Sequence, residues 1–156
     1  MAEATPMTDH ERYFFDLNGY VALEGVLSSA DVARLNQEID AKELPEPTED
    51  IWSQRFGGFF TWSQEFRDLI DCDRVLGALI EMLGEKLRLD HYYGILMGKG
   101  NNGLHLHGQA TPYDPSQYYI NRNGRMYCGL TVVSYALADV GPDDGGFCCV
   151  PGSHKS

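Results

Sequence analysis

His105, Leu106 and His107 form the one place where the sequence brings metal-binding side chain types close together. Residues 104–109 alternate between apolar and polar types, which predicts a strand. Side chains alternate between the faces of a strand, so His105, His107 and Gln109 would share one face. Two neutral imidazoles can then chelate iron, copper, nickel or zinc if a neighbouring strand adds a ligand. Two hydrogen-bonded strand histidines without a metal fit the same pattern.

The segments on either side of the histidine pair are typical of the rim of a binding site. Residues 98–103 precede it as the sequence Gly-Lys-Gly-Asn-Asn-Gly, which suits a substrate entrance or lid and equally suits a plain solvent turn. Residues 110–124 follow it as a polar, tyrosine-rich connection, longer than a usual hairpin loop. We interpret this connection as a pocket wall.

The first half of the chain carries the signals of helices. Thr8 with Glu11, and Ser28 with Asp31, have the spacing of a capping box, in which two side chains satisfy free amides at a helix start. Asn18-Gly19 supplies residue types that end helices. The predicted helices are 12–17, 28 to about 41, 63–70, and 75–83 with Asp73 as its cap and Gly84 after it.

From residue 87 onward the pattern changes to that of strands. β-branched and aromatic runs separated by turn residues such as Asp144, Gly145 and Gly146 are typical of antiparallel sheets. The predicted strands are 20–23, one or two within 87–97, 104–109, 126–137 and 147–150, while 52–62 is irregular. Helices followed by such strands predict one α+β domain over residues 1–156, with jelly-roll or barrel β-structure.

Charge and composition exclude several functions. A formal net charge of -11 repels nucleic-acid phosphates and anionic membranes, and no lysine or arginine cluster offsets it. No apolar run approaches the ~18 residues that a membrane span needs, and the polar start of the sequence leads us to expect no signal peptide. We therefore expect a soluble, cytoplasmic protein that binds neither nucleic acid nor membranes. The four cysteines lack a Cys-x-x-Cys pair, so we expect reduced packing residues.

Two further stretches carry a family resemblance. Residues 14–28, Phe-Phe-Asp-Leu-Asn-Gly-Tyr-Val-Ala-Leu-Glu-Gly-Val-Leu-Ser, lead from a helix through an Asn-Gly-Tyr turn. Residues 144–155, Asp-Gly-Gly-Phe-Cys-Cys-Val-Pro-Gly-Ser-His-Lys, follow the Tyr-Ala-Leu-Ala-Asp run at 135–139. With the histidine pair between them, these stretches resemble the phytanoyl-CoA dioxygenase family from about Asp9 to Ser156.

The resemblance implies a cupin-like double-stranded β-helix that binds Fe(II) through a histidine, a carboxylate and a distal histidine. With 2-oxoglutarate as co-substrate and O₂, such a site hydroxylates a small organic or acyl substrate. His105 takes the place of the motif histidine, and His107 falls where the family carries aspartate. The predicted metal ligands are therefore His105 and His107. In an alternative register His107 is the motif histidine and Gln109 replaces the aspartate.

The family's distal histidine and its 2-oxoglutarate anchor lie beyond the Pro-Gly-Ser-His-Lys segment. We therefore expect the chain to be the N-terminal part of a longer oxygenase, with an incomplete β-helix and no activity alone. His154 is interpreted as a loop or capping residue rather than a ligand. Two alternatives remain open: a non-catalytic cupin-like binding module, and a catalytically dead truncated paralogue.

Overall fold

A computed structural model of the chain describes residues 4–45, 48, 53–97, 103–108, 115–141 and 144–155. These residues form helices and two small antiparallel sheets, which confirms the predicted α+β class. The helices are α1 (Asp9–Asn18), α2 (Ser29–Asp40), α3 (Gln64–Asp68) and α4 (Asp73–Leu83), with 3-10 turns at Phe59–Thr61 and Ser153–Lys155. The strands are β1 (Ser53–Gly57), β2 (Tyr93–Met97), β3 (Tyr119–Arg122) and β4 (Arg125–Cys128). None of the described helices is long and apolar enough to span a membrane.

Helix α1 begins and ends at the predicted signals. The Thr8 hydroxyl accepts a hydrogen bond from the Glu11 amide at 3.2 Å, and the Glu11 carboxylate accepts one from the Thr8 amide at 2.8 Å. At the other end Gly19 has φ 81°, a left-handed conformation that glycine adopts without strain, and its amide donates to the Phe15 carbonyl. The second predicted capping box likewise begins α2. Local polar signals therefore set both helices.

The predicted cap of α4 is wrong by one residue. Cys72 is the N-cap and Asp73 is the first helical residue, with no side-chain hydrogen bond capping the helix. The Asp73 carboxylate still lies in the first turn, where a negative charge favours the helix dipole. Gly84 ends the helix as predicted.

Two of the strands lie where the sequence predicted none. Strand β1 falls within the segment interpreted as irregular and pairs with β2, from Ser53 opposite Met97 to Gly57 opposite Tyr93. Strand β3 lies within the segment interpreted as a long connection and pairs with β4. Asn123 and Gly124 join β3 to β4 with φ of 54° and 71°, the left-handed pair typical of a two-residue hairpin turn. The pairing of β1 therefore depends on its partner β2, and the pairing of β3 with β4 depends on the two-residue turn between them.

Several predicted strands do not form within the described residues. Residues 20–23, 104–108, 131–137 and 147–150 have no strand partner there, and only 93–97 and 125–128 are strands within the predicted runs 87–97 and 126–137. A β-branched run favours an extended backbone, but a strand also needs a neighbour for its amides and carbonyls. Residue 109 lies outside the described residues.

Two apolar clusters hold the elements together. The first consists of Met7, Phe15, Ala78, Met82 and Cys128, and it joins α1, α4 and β4. The second cluster joins α2, the first 3-10 turn and α3, and consists of Leu35, Phe59, Phe66 and Leu69. The side chain at the centre of the second cluster, Leu35, is 1% exposed. Leu35 thereby places one face of α2 in the core.

Candidate functional site

His105 and His107 lie on an exposed segment, residues 103–108, that forms neither helix nor strand. The predicted strand is wrong here, yet the two imidazoles are neighbours: their ring centroids are 5.6 Å apart and the ring planes are inclined by 55°. Metal–nitrogen bonds of about 2.0–2.1 Å are compatible with two rings at this separation on one ion. The two rings are therefore neighbours because their residues are two positions apart, and no pairing with another strand is needed to bring them together.

The ring of His107 is oriented by a backbone hydrogen bond. Its Nδ1 atom lies 2.9 Å from the carbonyl oxygen of His105. A carbonyl oxygen only accepts, so Nδ1 carries the proton, and in the neutral ring Nε2 keeps a free lone pair. Histidines that bind metals commonly donate their other ring N–H to a carbonyl or carboxylate in this way. The donor type and tautomer of His107 therefore suit a divalent metal such as Fe(II).

The described residues provide these two imidazoles and no complete metal site. Within residues 4–45, 48, 53–97, 103–108, 115–141 and 144–155, no three His, Cys, Asp or Glu side chains lie together in a group that could hold an ion. Gln109, the ligand in the alternative register, lies outside this part of the chain, as do residues 98–102 and 110–114 of the predicted rim segments. His105 and His107 therefore match Fe(II) in donor type, and His107 also has the tautomer that leaves Nε2 free to bind it.

The histidines near the N-terminus and beside Asp90 lie in ordinary exposed environments. His10 is exposed, with its ring centroid 6.2 Å from that of Phe14. His91 is also exposed, and its Nδ1 lies 2.7 Å from a carboxylate oxygen of Asp90. Neither residue approaches a second imidazole closely enough to form a ring contact among the described residues.

His154 has the capping role that the sequence predicted. Its Nε2 donates to the Asp16 carbonyl at 3.0 Å, in the last turn of α1. Its ring lies edge-on to Tyr119, with centroids 4.5 Å apart, and also contacts Phe15. The structure thus brings together the two stretches that carry the family resemblance.

Asp16 is the residue that sequence reasoning missed. Its carboxylate accepts hydrogen bonds from the Tyr119 hydroxyl and, at 3.1 Å, from the Asn121 amide, and it lies 3.3 Å from the Lys155 ammonium. The Tyr119 hydrogen bond, followed by those from Asn121 and Lys155, lowers the pKa of Asp16 despite its desolvation. Desolvation and the same hydrogen bond raise the pKa of Tyr119. Its partners lie 103 and 105 residues along the chain, so no local pattern marks this aspartate.

Two tyrosines, Tyr92 and Tyr135, take part in core packing. The Tyr92 hydroxyl donates to the Phe66 carbonyl at 2.6 Å, and the Tyr135 hydroxyl donates to the Leu69 carbonyl at 2.7 Å. Both rings pack against the second apolar cluster. Burial raises the pKa of Tyr92 to about 12 and raises that of Tyr135 as well. Tyr113 lies outside the described residues.

Two open cavities lie on the helical side of the molecule. One, of about 440 Å³, is bordered by His10, Glu24 and the ion pair of Glu11 with Arg74. The other, of about 540 Å³, lies between the end of α4 and the β3–β4 turn. Neither is lined by His105 or His107, so the histidine pair forms a separate candidate site.

Comparison with known proteins defines the class. The sequence model of the phytanoyl-CoA dioxygenase family matches residues 15–156, which is nearly the whole chain. The chain belongs to the phytanoyl-CoA dioxygenase family, and the resemblance predicted from its motifs is confirmed. Proteins of this family are generally oxygenases, typically dependent on Fe(II) and 2-oxoglutarate. No curated protein and no solved structure matches the chain.

Proposed function

We propose that this chain supplies metal ligands to an Fe(II)- and 2-oxoglutarate-dependent dioxygenase that hydroxylates a small organic or acyl substrate. His105 and His107 are the proposed ligands. The observation that carries the proposal is the hydrogen bond from His107 Nδ1 to the His105 carbonyl, which leaves Nε2 free beside the second imidazole. Family membership supplies the class of reaction.

The two imidazoles would bind and orient the ion, and Fe(II) with 2-oxoglutarate would supply the oxidation of a C–H bond by O₂. The carbonyl of His105 holds the His107 ring, so the free nitrogen of His107 has a defined direction before metal binds. A pair of neutral imidazoles leaves the ion one unit more positive than a histidine with an aspartate does. The proposed site should therefore differ from a histidine–aspartate site in redox potential and metal preference.

The proposed setting of this site is a jelly-roll of which the described sheets form part. Antiparallel pairing of β1 with β2 and of β3 with β4 supports it. The apolar segments 131–137 and 147–150 have the composition of strands and exposed side chains such as Val132 and Phe147. A cytoplasmic location and a small-molecule substrate complete the proposal.

An anaerobic titration with Fe(II) tests the ligand assignment. Replacing His105 or His107 by alanine should weaken Fe(II) binding by at least about 10- to 100-fold, the loss seen when a residue that only supports a metal ligand is removed. His107→Asp should preserve binding, because a carboxylate is a good Fe(II) ligand. His91→Ala is the matched control, since His91 is an exposed histidine bonded to a neighbouring carboxylate, and it should leave the affinity unchanged.

The same titration separates the two registers. If His107 is the motif histidine, His107→Asp should be nearly as damaging as His107→Ala, and Gln109→Asp should strengthen binding. Equal tolerance of alanine at His105 and His107 would reject both registers together with the metal site. Metal binding without consumption of 2-oxoglutarate in the full-length protein would favour the non-catalytic binding module instead.

A further inference from the structure

Residues 151–155, which we call the latch, close the end of helix α1 from a distant part of the chain. The last four carbonyls of an α-helix have no partner inside the helix. Three of these carbonyls in α1 accept hydrogen bonds from residues beyond Asn18. The Phe15 carbonyl accepts from the Gly19 amide. The Asp16 carbonyl accepts from His154 Nε2 at 3.0 Å, and the Asn18 carbonyl accepts from the Gly152 amide at 2.9 Å. The latch supplies two of these donors, so the tertiary structure provides much of the cap of α1.

Asp16 ties the latch to the β3–β4 hairpin as well. Its backbone carbonyl takes the His154 hydrogen bond, while its carboxylate takes those of Tyr119 and Asn121 from β3 and faces Lys155 of the latch. A cation near a helix C-terminus also interacts favourably with the helix dipole. One residue of α1 therefore connects α1, strand β3 and the latch.

Close packing at Gly19 makes docking of the latch specific. A Cβ atom on Gly19 would lie 2.5 Å from Nδ1 and 2.6 Å from Cγ of His154, so no other residue fits while the latch is docked. Gly25 has a similar left-handed φ of 67°, but a Cβ atom on Gly25 would meet no other atom within 4 Å. Gly19 and Gly25 thus share a left-handed backbone, and of these two Gly19 faces the latch.

One polar atom of the docked latch lacks a hydrogen-bond partner among the described residues. The Nδ1 atom of His154 is buried without a hydrogen-bond partner among the described residues, a situation that opposes burial. If the latch leaves, water can hydrate the freed carbonyls of Asp16 and Asn18, whereas α1 stays attached to α4 through Phe15 and through Arg12, whose Nε lies 2.6 Å from Glu81. Opening the latch together with the last turn of α1 therefore need not unfold the rest of the helix.

We propose that residues 151–155 are a conformational latch that opens and closes as one unit with the last turn of α1. The closed latch adds the contact of His154 with Tyr119 and the ion pair of Lys155 with Asp16 to the junction of α1 with β3, and the open latch removes both. The unit comprises the amides of Gly19, Gly152 and Lys155, whose acceptors all lie in the latch or the end of α1. This device does not depend on metal binding.

Native-state hydrogen exchange on the whole chain tests the latch. His154→Phe keeps a ring but removes the donor to Asp16, and the loss of one hydrogen bond should speed exchange at Gly19, Gly152 and Lys155 by a common factor of about 2- to 12-fold. His154→Gln, whose side-chain amide can donate from a similar position, should restore slow exchange. The amides of Ala41 in the C-cap of α2 and Gly84 in that of α4, bonded to Gln37 and Ile80, should not change. Exchange at Gly152 that changes without a matching change at Gly19, or equal acceleration at Ala41 and Gly84, would overturn the proposal.

A double-mutant cycle tests the same contact from its other side. Gly19→Ala should accelerate exchange at Gly152 more than Gly25→Ala does, because both place alanine in a left-handed conformation but only the first meets His154. In a chain that already carries His154→Ala, the difference between the two glycine substitutions in exchange at Gly152 should shrink, because the clash with His154 is gone. Equal effects in the presence of His154 would contradict the docking that the latch requires.

Discussion

Helix α1 and the histidine segment differ in how the rest of the chain holds them. Phe15 of α1 is 8% exposed, both ends of the helix are capped, and Arg12, Asp16 and Asn18 bond to residues far along the chain. Leu104 and Leu106, beside the candidate ligands, are 57% and 62% exposed, and the ring of His107 is held by a backbone atom two residues away. Long-range contacts thus build the frame, while the candidate site is organised locally.

This contrast has a functional meaning. Binding residues in proteins commonly lie on less stable segments that a rigid scaffold supports, because a site must admit and release its ligands. Exposed apolar side chains such as Val132 and Phe147 belong to further segments that have no strand partner among the described residues. The frame should therefore respond strongly to core substitutions, and the exposed segments weakly.

The same leucine-to-alanine change in the two regions should have very different effects. Leu35→Ala removes a side chain that is 1% exposed and should lower the free energy of unfolding by about 2–5 kcal/mol, because it leaves a cavity. Leu106→Ala changes a residue that is 62% exposed and should alter stability by less than about 0.5 kcal/mol. Urea unfolding followed by circular dichroism measures both. Similar losses for the two variants would mean that the histidine segment is packed as firmly as the core.

The reactivity of the cysteines should also differ between the buried core and the exposed segments. Cys128 is buried in the first cluster, and burial raises its pKa from 9.0 to about 11, whereas Cys148 is exposed. Since the thiolate is the reactive form, this rise alone should slow alkylation of Cys128 by about 100-fold at neutral pH. Iodoacetamide labelling followed by peptide mass spectrometry should modify Cys148 first and Cys128 only in denaturant. Comparable native rates at both sites would show that the cluster around Cys128 is not a fixed core.

Acid should weaken the frame through the junction that Asp16 makes with β3 and the latch. The folded pKa of Asp16 lies below its ordinary 3.8, so the unfolded chain takes up a proton first as the pH falls. The stabilisation by Asp16 is thus fully present above about pH 4 and is lost as pH falls through the lowered pKa. Asp16→Asn should flatten this part of the stability profile, measured by denaturant unfolding at successive pH values. An identical profile for the variant would contradict the lowered pKa.

The parts of the fold that follow local rules were predictable. Thr8, Glu11 and Gly19 act within one helical turn of their partners, so their pattern predicts the bounds of α1 whatever else the chain does. The same holds for the capping box of α2 and for the adjacency of His105 and His107. Cys128 is a buried packing residue, as expected, whereas Cys148 is exposed and does not have the expected packing role.

The strand predictions failed where the signal came from composition alone. Residues 131–137 are rich in strand-forming types yet pair with nothing among the described residues, while β1, with Gln54 and Arg55 at its centre, forms because β2 lies beside it. A strand is stabilised by hydrogen bonds to its neighbour, and the neighbour's position is not encoded in the strand's own residues.

The sequence by itself determined the family, the capping residues of α1, the start of α2 and the pair of imidazoles, because each depends on residue types a few positions apart or on a motif read directly from the chain. Only the tertiary structure decided that His154 caps α1 and that Asp16 joins Tyr119, Asn121 and Lys155. The physical reason is distance along the chain: the hydrogen bond from His154 to Asp16 spans 138 residues, and only folding brings its two atoms together.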